Sequence, residues 1–69
     1  MDKLRSLELF LATCDGGSFA AAARECSTDP STVSKAIARL ETQLGLTLFQ
    51  RSTRQLRITA PGKRYADTV

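Results

Sequence analysis

The chain has 69 residues, of which 42% are hydrophobic and 25% charged, and its formal net charge is +3. This length allows one small domain, and the composition is too apolar for a disordered chain. No apolar run approaches the roughly 20 residues that span a bilayer, and the N-terminus lacks a signal-peptide pattern, so we expect a cytoplasmic protein with no membrane partner.

The charge is unevenly distributed along the chain. Residues 1–30 carry three basic and five acidic side chains, a net charge of −2, whereas residues 31–69 carry seven basic and two acidic ones, a net charge of +5. The second half is therefore the part expected to meet a polyanion.

The first predicted element is an amphipathic helix over about 2–15. Its apolar residues recur at three- and four-residue steps and predict one core-facing stripe, made of Leu4, Leu7, Phe10, Leu11 and Cys14. Gly16 and Gly17 end this helix. Ser18 is a suitable N-cap for a second, short helix, whose Ala22 and Ala23 permit another helix to approach closely.

A tight turn at 27–28 leads to a third helix, with Asp29 as its N-cap and Pro30 at its first position. This helix runs to about residue 44, and Gly45 suits its C-terminal cap. At about 100° per residue, one face is apolar and is predicted to be buried: Val33, Ala36, Ile37, Leu40 and Leu44. The opposite face is polar and basic around a small residue: Ser31, Thr32, Lys35, Ala38, Arg39 and Thr42.

The segment after Gly45 predicts a small hairpin. Residues 46–49 are mostly apolar, and Leu56-Arg57-Ile58 alternates apolar and basic residues, which indicates two short strands. The polar, basic segment between them predicts a β-wing over about 50–57. Thr59 then caps a fourth helix that starts near Ala60 and whose pattern still runs at Val69, so we expect a fragment with more protein beyond it.

Together these elements predict a mostly α fold with a small β-wing, the winged helix-turn-helix. It comprises a three-helix core, a two-stranded hairpin and the start of a C-terminal helix. Residues 1–59 are expected to form the domain, and residues 60–69 to begin a truncated linker helix.

Several short strings resemble the N-terminal DNA-binding domain of LysR-type transcriptional regulators. They occur in the family's order and spacing: Gly17-Ser18-Phe19 with Ala22-Ala23, Val33 to Ile37, Leu40-Glu41, Leu44-Gly45, Leu48-Phe49 with Arg51, and Thr59 with Gly62. The resemblance covers nearly the whole chain. It implies a bacterial transcription regulator that binds double-stranded DNA sequence-specifically, at a palindromic site.

The resemblance also implies an assembly and a missing domain. The last helix of the family pairs two subunits into a dimer, and the intact protein forms a tetramer. A small-molecule effector would bind only through a further domain that is absent from this chain. In one departure, Pro30 stands where the family commonly has a glutamine that reaches a base, so base preference at that position is expected to differ.

The outer face of the third helix, about 30–44, carries the first candidate DNA contacts. Lys35 and Arg39 share this face; the alternative is a solvated charge or, for Arg39, a salt bridge to Glu41 or Glu25. The first-turn hydroxyls are expected to reach a phosphate unless they bond to their own backbone; these are Ser31, Thr32 and Ser34. The wing supplies three further candidates for the minor groove or backbone: Arg51, Arg54 and Arg57.

The fourth helix carries the candidate dimer contact. Tyr65, Ala66 and Val69 form an apolar stripe with nothing obvious inside the domain to cover it. Pairing with a second copy would have two-fold symmetry and would present the recognition helices to a palindrome.

Other functions have less support in the sequence. No histidine, paired carboxylates or glycine-rich phosphate loop is present, so we expect no enzyme, metal site or cofactor. Cys14 and Cys26 are interpreted as reduced core thiols, with a redox-sensing pair or disulfide as the alternative. A winged helix can also bind protein, but an apolar or acidic outer face would favour that use. RNA binding is disfavoured because the aromatic residues are mostly in core positions.

Overall fold

The computed structural model describes residues 3–51 and 56–69, apart from the side chain of Lys3. The described elements follow one another as α1 (Lys3–Gly16), α2 (Phe19–Glu25), α3 (Pro30–Leu44), β1 (Phe49–Arg51), β2 (Leu56–Ile58) and α4 (Ala60–Thr68). This is the mostly α fold with a small wing that the sequence predicts. Among the described helices, none has the length and apolar character needed to cross a membrane.

Three helices begin with a side-chain cap, as the sequence predicts. Ser18 Oγ accepts the Ala21 N–H at 3.0 Å, and Thr59 Oγ1 accepts the Gly62 N–H at 3.0 Å. Asp29 Oδ1 accepts the Thr32 N–H at 2.9 Å. This backbone hydrogen bond, together with one from the Thr32 hydroxyl, holds the pKa of the Asp29 carboxyl below its usual value. The start of α3 therefore carries a charged cap at neutral pH.

The inward face of α1 differs from the predicted one at two positions, whereas Phe10 is fully buried and Cys14 packs against the core as predicted. Leu9 is fully buried, whereas Leu4 and Leu11 are 67% and 38% exposed. Leu9 and Thr13 lie about 170° around the helix from Leu4 and Leu11, at about 100° per residue. Thr13 can be buried at little cost, because its hydroxyl donates to the Leu9 carbonyl oxygen at 2.7 Å and so has a hydrogen-bond partner within the helix. The predicted core stripe is wrong for Leu4 and Leu11.

The turn between α2 and α3 is fixed by one left-handed residue and by hydrogen bonds to α1 and α2. Ser27 adopts a left-handed conformation with φ of 56°, which is uncommon for a residue other than glycine. The Thr28 N–H donates to the Ala23 carbonyl oxygen at 2.8 Å. From α1, Arg5 donates to the Cys26 carbonyl oxygen at 2.9 Å. These contacts set the angle at which α3 leaves α2.

The core lies between the three helices and the hairpin. Phe10 is fully buried, and its ring centroid lies 5.6 Å from that of Phe49 and 5.4 Å from that of Tyr65. The α3 residues Val33, Ala36, Ile37 and Leu40 are buried as predicted, and Leu44 is partly buried against the core. Gly45 ends α3 in the left-handed conformation, with φ of 67°.

The hairpin strands are antiparallel, with Phe49 opposite Ile58 and Arg51 opposite Leu56. Phe49 packs into the core while Gln50 and Arg51 are exposed, so one face of β1 is tied to the helices. The predicted wing tip at 52–55 lies outside the described residues.

Both cysteines are free thiols at half-buried positions. Burial, and secondarily the neighbouring Asp15 carboxylate, raises the pKa of the Cys14 thiol. A raised pKa lowers the thiolate population of Cys14 at neutral pH.

Candidate nucleic-acid interface

The outer face of α3 presents two basic side chains around a small residue. Lys35, Ala38 and Arg39 are all exposed, and together with Thr32 and the edge of Ala36 they line one shallow surface depression. Within residues 3–51 and 56–69, no carboxylate lies at ion-pair distance from Lys35 or Arg39, and Glu41 pairs with Arg51 instead. The alternative salt bridge from Arg39 to Glu41 or Glu25 is therefore not formed.

The hydroxyls at the start of α3 are differently engaged. The Thr32 hydroxyl donates to Asp29 Oδ2 at 3.0 Å, which is the local hydrogen bond considered as the alternative to a phosphate contact. Ser31 is exposed beside it. The Ser34 hydroxyl oxygen accepts a hydrogen bond from Arg51 at 3.1 Å, so its own proton is still available to donate outward.

Arg51 contacts α3 rather than extending away from the domain. Its Nη1 donates to Ser34 Oγ at 3.1 Å, and its Nη2 donates to the Ser34 carbonyl oxygen at 3.4 Å and lies 3.8 Å from Glu41 Oε1. The guanidinium carbon lies 5.1 Å from the centroid of the Phe19 ring. Two predicted site residues, Arg51 and Ser34, are thus in direct contact in the structure.

The sequence reasoning missed the part that Glu41 takes in this arrangement. Glu41 Oε2 accepts the backbone N–H groups of Leu48 and Phe49, at 2.7 and 3.2 Å. The only signal for this role was the Leu40-Glu41 string of the family resemblance. Spacing along the chain could not reveal it, because the acceptor and the donors lie seven and eight residues apart across a turn.

Of the two remaining wing candidates, only Arg57 lies within the described residues. Arg57 is exposed on β2, opposite Gln50 of β1. Arg54 lies outside the described residues. Basic side chains therefore occupy both the outer face of α3 and the described part of the hairpin.

The apolar stripe of α4 is partly covered by the domain itself. Tyr65 and Ala66 are half-buried, and the Tyr65 ring packs on Phe10. Val69 is 48% exposed. The expectation that nothing inside the domain covers this stripe is wrong for Tyr65 and Ala66, because α4 folds back onto α1 far enough to bury one side of its stripe.

Comparison with known proteins identifies a family and several relatives. Residues 4–63 match the sequence pattern described as "Bacterial regulatory helix-turn-helix protein, lysR family". The chain is 43% identical over 63 residues to a probable HTH-type transcriptional regulator, LtrA of Klebsiella pneumoniae, which covers 91% of this chain and 20% of LtrA. It is 35% identical over 65 residues to the HTH-type transcriptional activator AaeR of Escherichia coli K12, covering 94% of this chain and 21% of AaeR.

Solved structures give the same result. The fold superposes on the CbnR DNA-binding domain in a crystal structure with DNA, with a TM-score of 0.91 and 30% identity, over 97% of this chain and 77% of that one. It superposes on the BenM DNA-binding domain in complex with benA site 1 DNA with a TM-score of 0.89 and 30% identity, over 97% and 75% of the two chains. The chain spans about a fifth of the length of the curated relatives it matches.

Proposed function

The chain belongs to the LysR family of bacterial regulatory helix-turn-helix proteins, and on that basis we propose that it is the sequence-specific DNA-binding part of a transcription regulator. The observation that carries the proposal is the outer face of α3, where Lys35 and Arg39 are exposed and unpaired among the described residues. The small Ala38 between them permits close approach to base edges. The relatives are named as transcriptional regulators, so we reject the enzyme alternative.

In this proposal α3 lies in the major groove, and the hairpin contacts the minor groove or the backbone. A lysine can reach the guanine O6 and N7 acceptors, which makes Lys35 the candidate for base recognition. Arg39, two-thirds of the way along α3, is assigned to a phosphate. Arg54 and Arg57 are assigned to the wing contact, where a guanidinium can enter a narrow minor groove.

The hydroxyl contacts have unequal support. Ser31 is exposed, and the Ser34 hydroxyl keeps a proton for a phosphate oxygen. Thr32 would have to release Asp29, and the Asp29 carboxylate itself repels a phosphate at the start of α3. Hydrogen bonds from Ser31 also help to lower the pKa of Asp29, so we assign a phosphate contact to Ser34 ahead of Ser31 and Thr32.

We expect Lys35→Ala to relax base preference at one or two positions of the binding site. A base contact of this kind discriminates by about 1–3 kcal/mol, roughly 5- to 150-fold between bases. Selection of binding sequences from random duplexes, performed in parallel with the native chain and the variant, measures this directly. Lys63→Ala is the matched control, because it removes the same charge from an exposed position on α4. If the native chain and Lys35→Ala select the same motif with the same stringency, Lys35 does not read bases.

We further propose that two copies bind one site through the exposed end of α4. Residues 1–59 then form the DNA-binding domain, and residues 60–69 begin the helix that pairs the subunits. Val69, the residue directly after α4, has the largest exposure in the predicted stripe, and Tyr65 and Ala66 are half-buried. Two-fold pairing of this kind requires a palindromic site.

We expect Val69→Asp to weaken cooperative binding to a palindrome several-fold, because it places a charge in the apolar contact between the two copies. Affinity for an isolated half-site should not change. Gel-shift titrations of full sites and half-sites separate the two effects, with Thr68→Asp as a control for the added charge at an adjacent exposed position. Equal cooperativity in both variants would show that Val69 lies outside the contact.

The setting of this function follows from the family. We place it in the bacterial cytoplasm, where the DNA is. The tetramer and the small-molecule effector of the family are assigned to parts of the protein outside these 69 residues.

A further inference from the structure

The first strand of the hairpin is attached to α3 at both of its ends. At its start, Glu41 Oε2 accepts the N–H groups of Leu48 and Phe49 at 2.7 and 3.2 Å. At its end, Arg51 donates to the Ser34 hydroxyl and carbonyl oxygens at 3.1 and 3.4 Å. The attachment points on α3, Ser34 and Glu41, are seven residues apart, about two turns of helix. Two attachments at this separation fix both the position and the direction of β1 relative to α3.

The guanidinium of Arg51 is committed to these contacts. Both terminal nitrogens donate to Ser34, so one of the two side-by-side pairs of N–H groups through which a guanidinium can bind a phosphate is directed at the protein. One of them also lies 3.8 Å from Glu41 Oε1, which offsets the positive charge. Phe19 lies under the guanidinium, with its ring centroid 5.1 Å from the guanidinium carbon. The Arg51 side chain is 42% exposed, but its two terminal nitrogens and one face of its guanidinium are already engaged within the protein.

We propose that Arg51 is a positioning residue, which sets the wing relative to the recognition helix and does not itself bind a phosphate. This inference rests on the proposed DNA-binding function and changes the assignment of one residue predicted from the sequence as a DNA contact. Its consequence is geometric. The spacing between the groove that α3 enters and the groove or backbone that the wing touches depends on Arg51, although neither contact is made by it.

The salt dependence of DNA binding distinguishes the two roles. Each phosphate contact contributes about 0.9 to the slope of log K against log salt concentration for duplex DNA. We expect Arg51→Met to lower affinity about tenfold on all sequences while leaving this slope unchanged. Arg39→Met is the comparison, because Arg39 is assigned to a phosphate and its loss should reduce the slope by about one. A reduction of the same size for Arg51→Met would overturn the proposal.

Arg51→Lys provides a second discrimination, because it keeps the charge and loses the two-pronged geometry. A phosphate contact tolerates lysine, whereas simultaneous donation to the hydroxyl and carbonyl oxygens of Ser34 requires the guanidinium fork. We expect Arg51→Lys to bind DNA about as weakly as Arg51→Met. Affinity close to that of the native chain would contradict the positioning role.

A measurement on the free protein keeps this inference separate from the proposed function. Amide hydrogen exchange should show faster exchange in Arg51→Met at the hairpin amides, including Phe49 and Ile58, and unchanged exchange at the buried α1 amides of Leu9 and Phe10. Unchanged protection in the hairpin would overturn the positioning role even if the native chain bound no duplex. Conversely, failure of the native chain to bind any duplex, together with faster hairpin exchange in the variant, would reject only the DNA-binding function.

Discussion

Phe10→Ala is expected to remove a large part of the stability of the domain. Phe10 is fully buried, and its ring lies against both Phe49 of β1 and Tyr65 of α4. Truncating a buried phenylalanine to alanine typically costs about 3–5 kcal/mol, because the transfer free energy of the ring is lost and a cavity remains. The total stability of a domain this size is on the order of 3–10 kcal/mol. The substitution therefore removes a large part of it.

Thermal unfolding followed by circular dichroism measures this effect, with Leu4→Ala as the control. Leu4 is a large apolar residue on the same helix but is 67% exposed. We expect its replacement to change the free energy of unfolding by no more than about 0.5 kcal/mol. For Phe10→Ala a decrease in Tm of at least about 12 °C is expected, from 4–8 °C per kcal/mol in small domains. Similar decreases for the two variants would mean that the inward face of α1 is misassigned.

The predicted core stripe of α1 is confirmed at Phe10 and Cys14 and is wrong at Leu4 and Leu11, and the reason lies in how periodicity is interpreted. Leu4, Leu7 and Leu11 form a regular stripe, and a regular stripe is the usual signal of a core face. The other face holds Leu9 and is completed by Thr13, which a hydropathy pattern counts as polar. Only the hydrogen bond from the Thr13 hydroxyl to the Leu9 carbonyl oxygen makes that face suitable for burial, and this bond depends on the rotamer and not on the sequence pattern.

The bounds and the buried face of α3, by contrast, were predictable from the sequence. Asp29 and Pro30 mark the start by a carboxylate cap and a fixed φ, and Gly45 marks the end by its left-handed conformation. These signals are local, so they need no knowledge of the rest of the fold. One face is apolar throughout and the other polar, so only one orientation buries the apolar residues.

The sequence predicted the candidate interface correctly only for residues whose place on a helix face determines whether they are exposed. Lys35 and Arg39 follow from the helix face, and they lie exposed in the structure. The environment of Arg51 could not be predicted, because its partners Ser34 and Phe19 lie 17 and 32 positions earlier in the chain. An arginine in a basic hairpin looks like a DNA contact from the sequence, and only the packing of β1 on α3 shows what occupies its guanidinium.

Gly62→Ala is expected to detach α4 from the body of the domain. Gly62 is buried in the first turn of α4, where the Thr59 hydroxyl accepts its N–H at 3.0 Å. A methyl group at this position would lie well inside van der Waals contact with the Leu48 carbonyl oxygen and 2.9 Å from Cγ1 of Ile58. The Leu48 oxygen cannot retreat, because it also accepts the Thr59 N–H at 2.9 Å. The helix itself must therefore move.

Intrinsic helix propensity alone would make Gly62→Ala stabilising. A loss of stability in this variant would therefore indicate the clash with Leu48. Alanine is favoured over glycine inside a helix by roughly 1 kcal/mol, whereas forcing extra volume into a packed site costs about 1–3 kcal/mol and occasionally more. We expect a net loss near the upper end of that range, because the contacted atom belongs to the backbone. Lys63→Ala, at the adjacent exposed position, should be neutral or slightly stabilising.

The environment of Tyr65 shows whether the loss of stability comes from displacement of α4. Displacement of α4 separates its ring from Phe10, so Tyr65 fluorescence and the ring-shifted resonances of Phe10 should change in Gly62→Ala and not in Lys63→Ala. Reducing Ile58 to valine should not rescue the variant, because the clash with the Leu48 carbonyl oxygen remains. If Gly62→Ala unfolds at the temperature of the native chain, then α4 can shift without cost. The close approach of its first turn to Leu48 would then not fix the position of the helix that we propose pairs the two subunits.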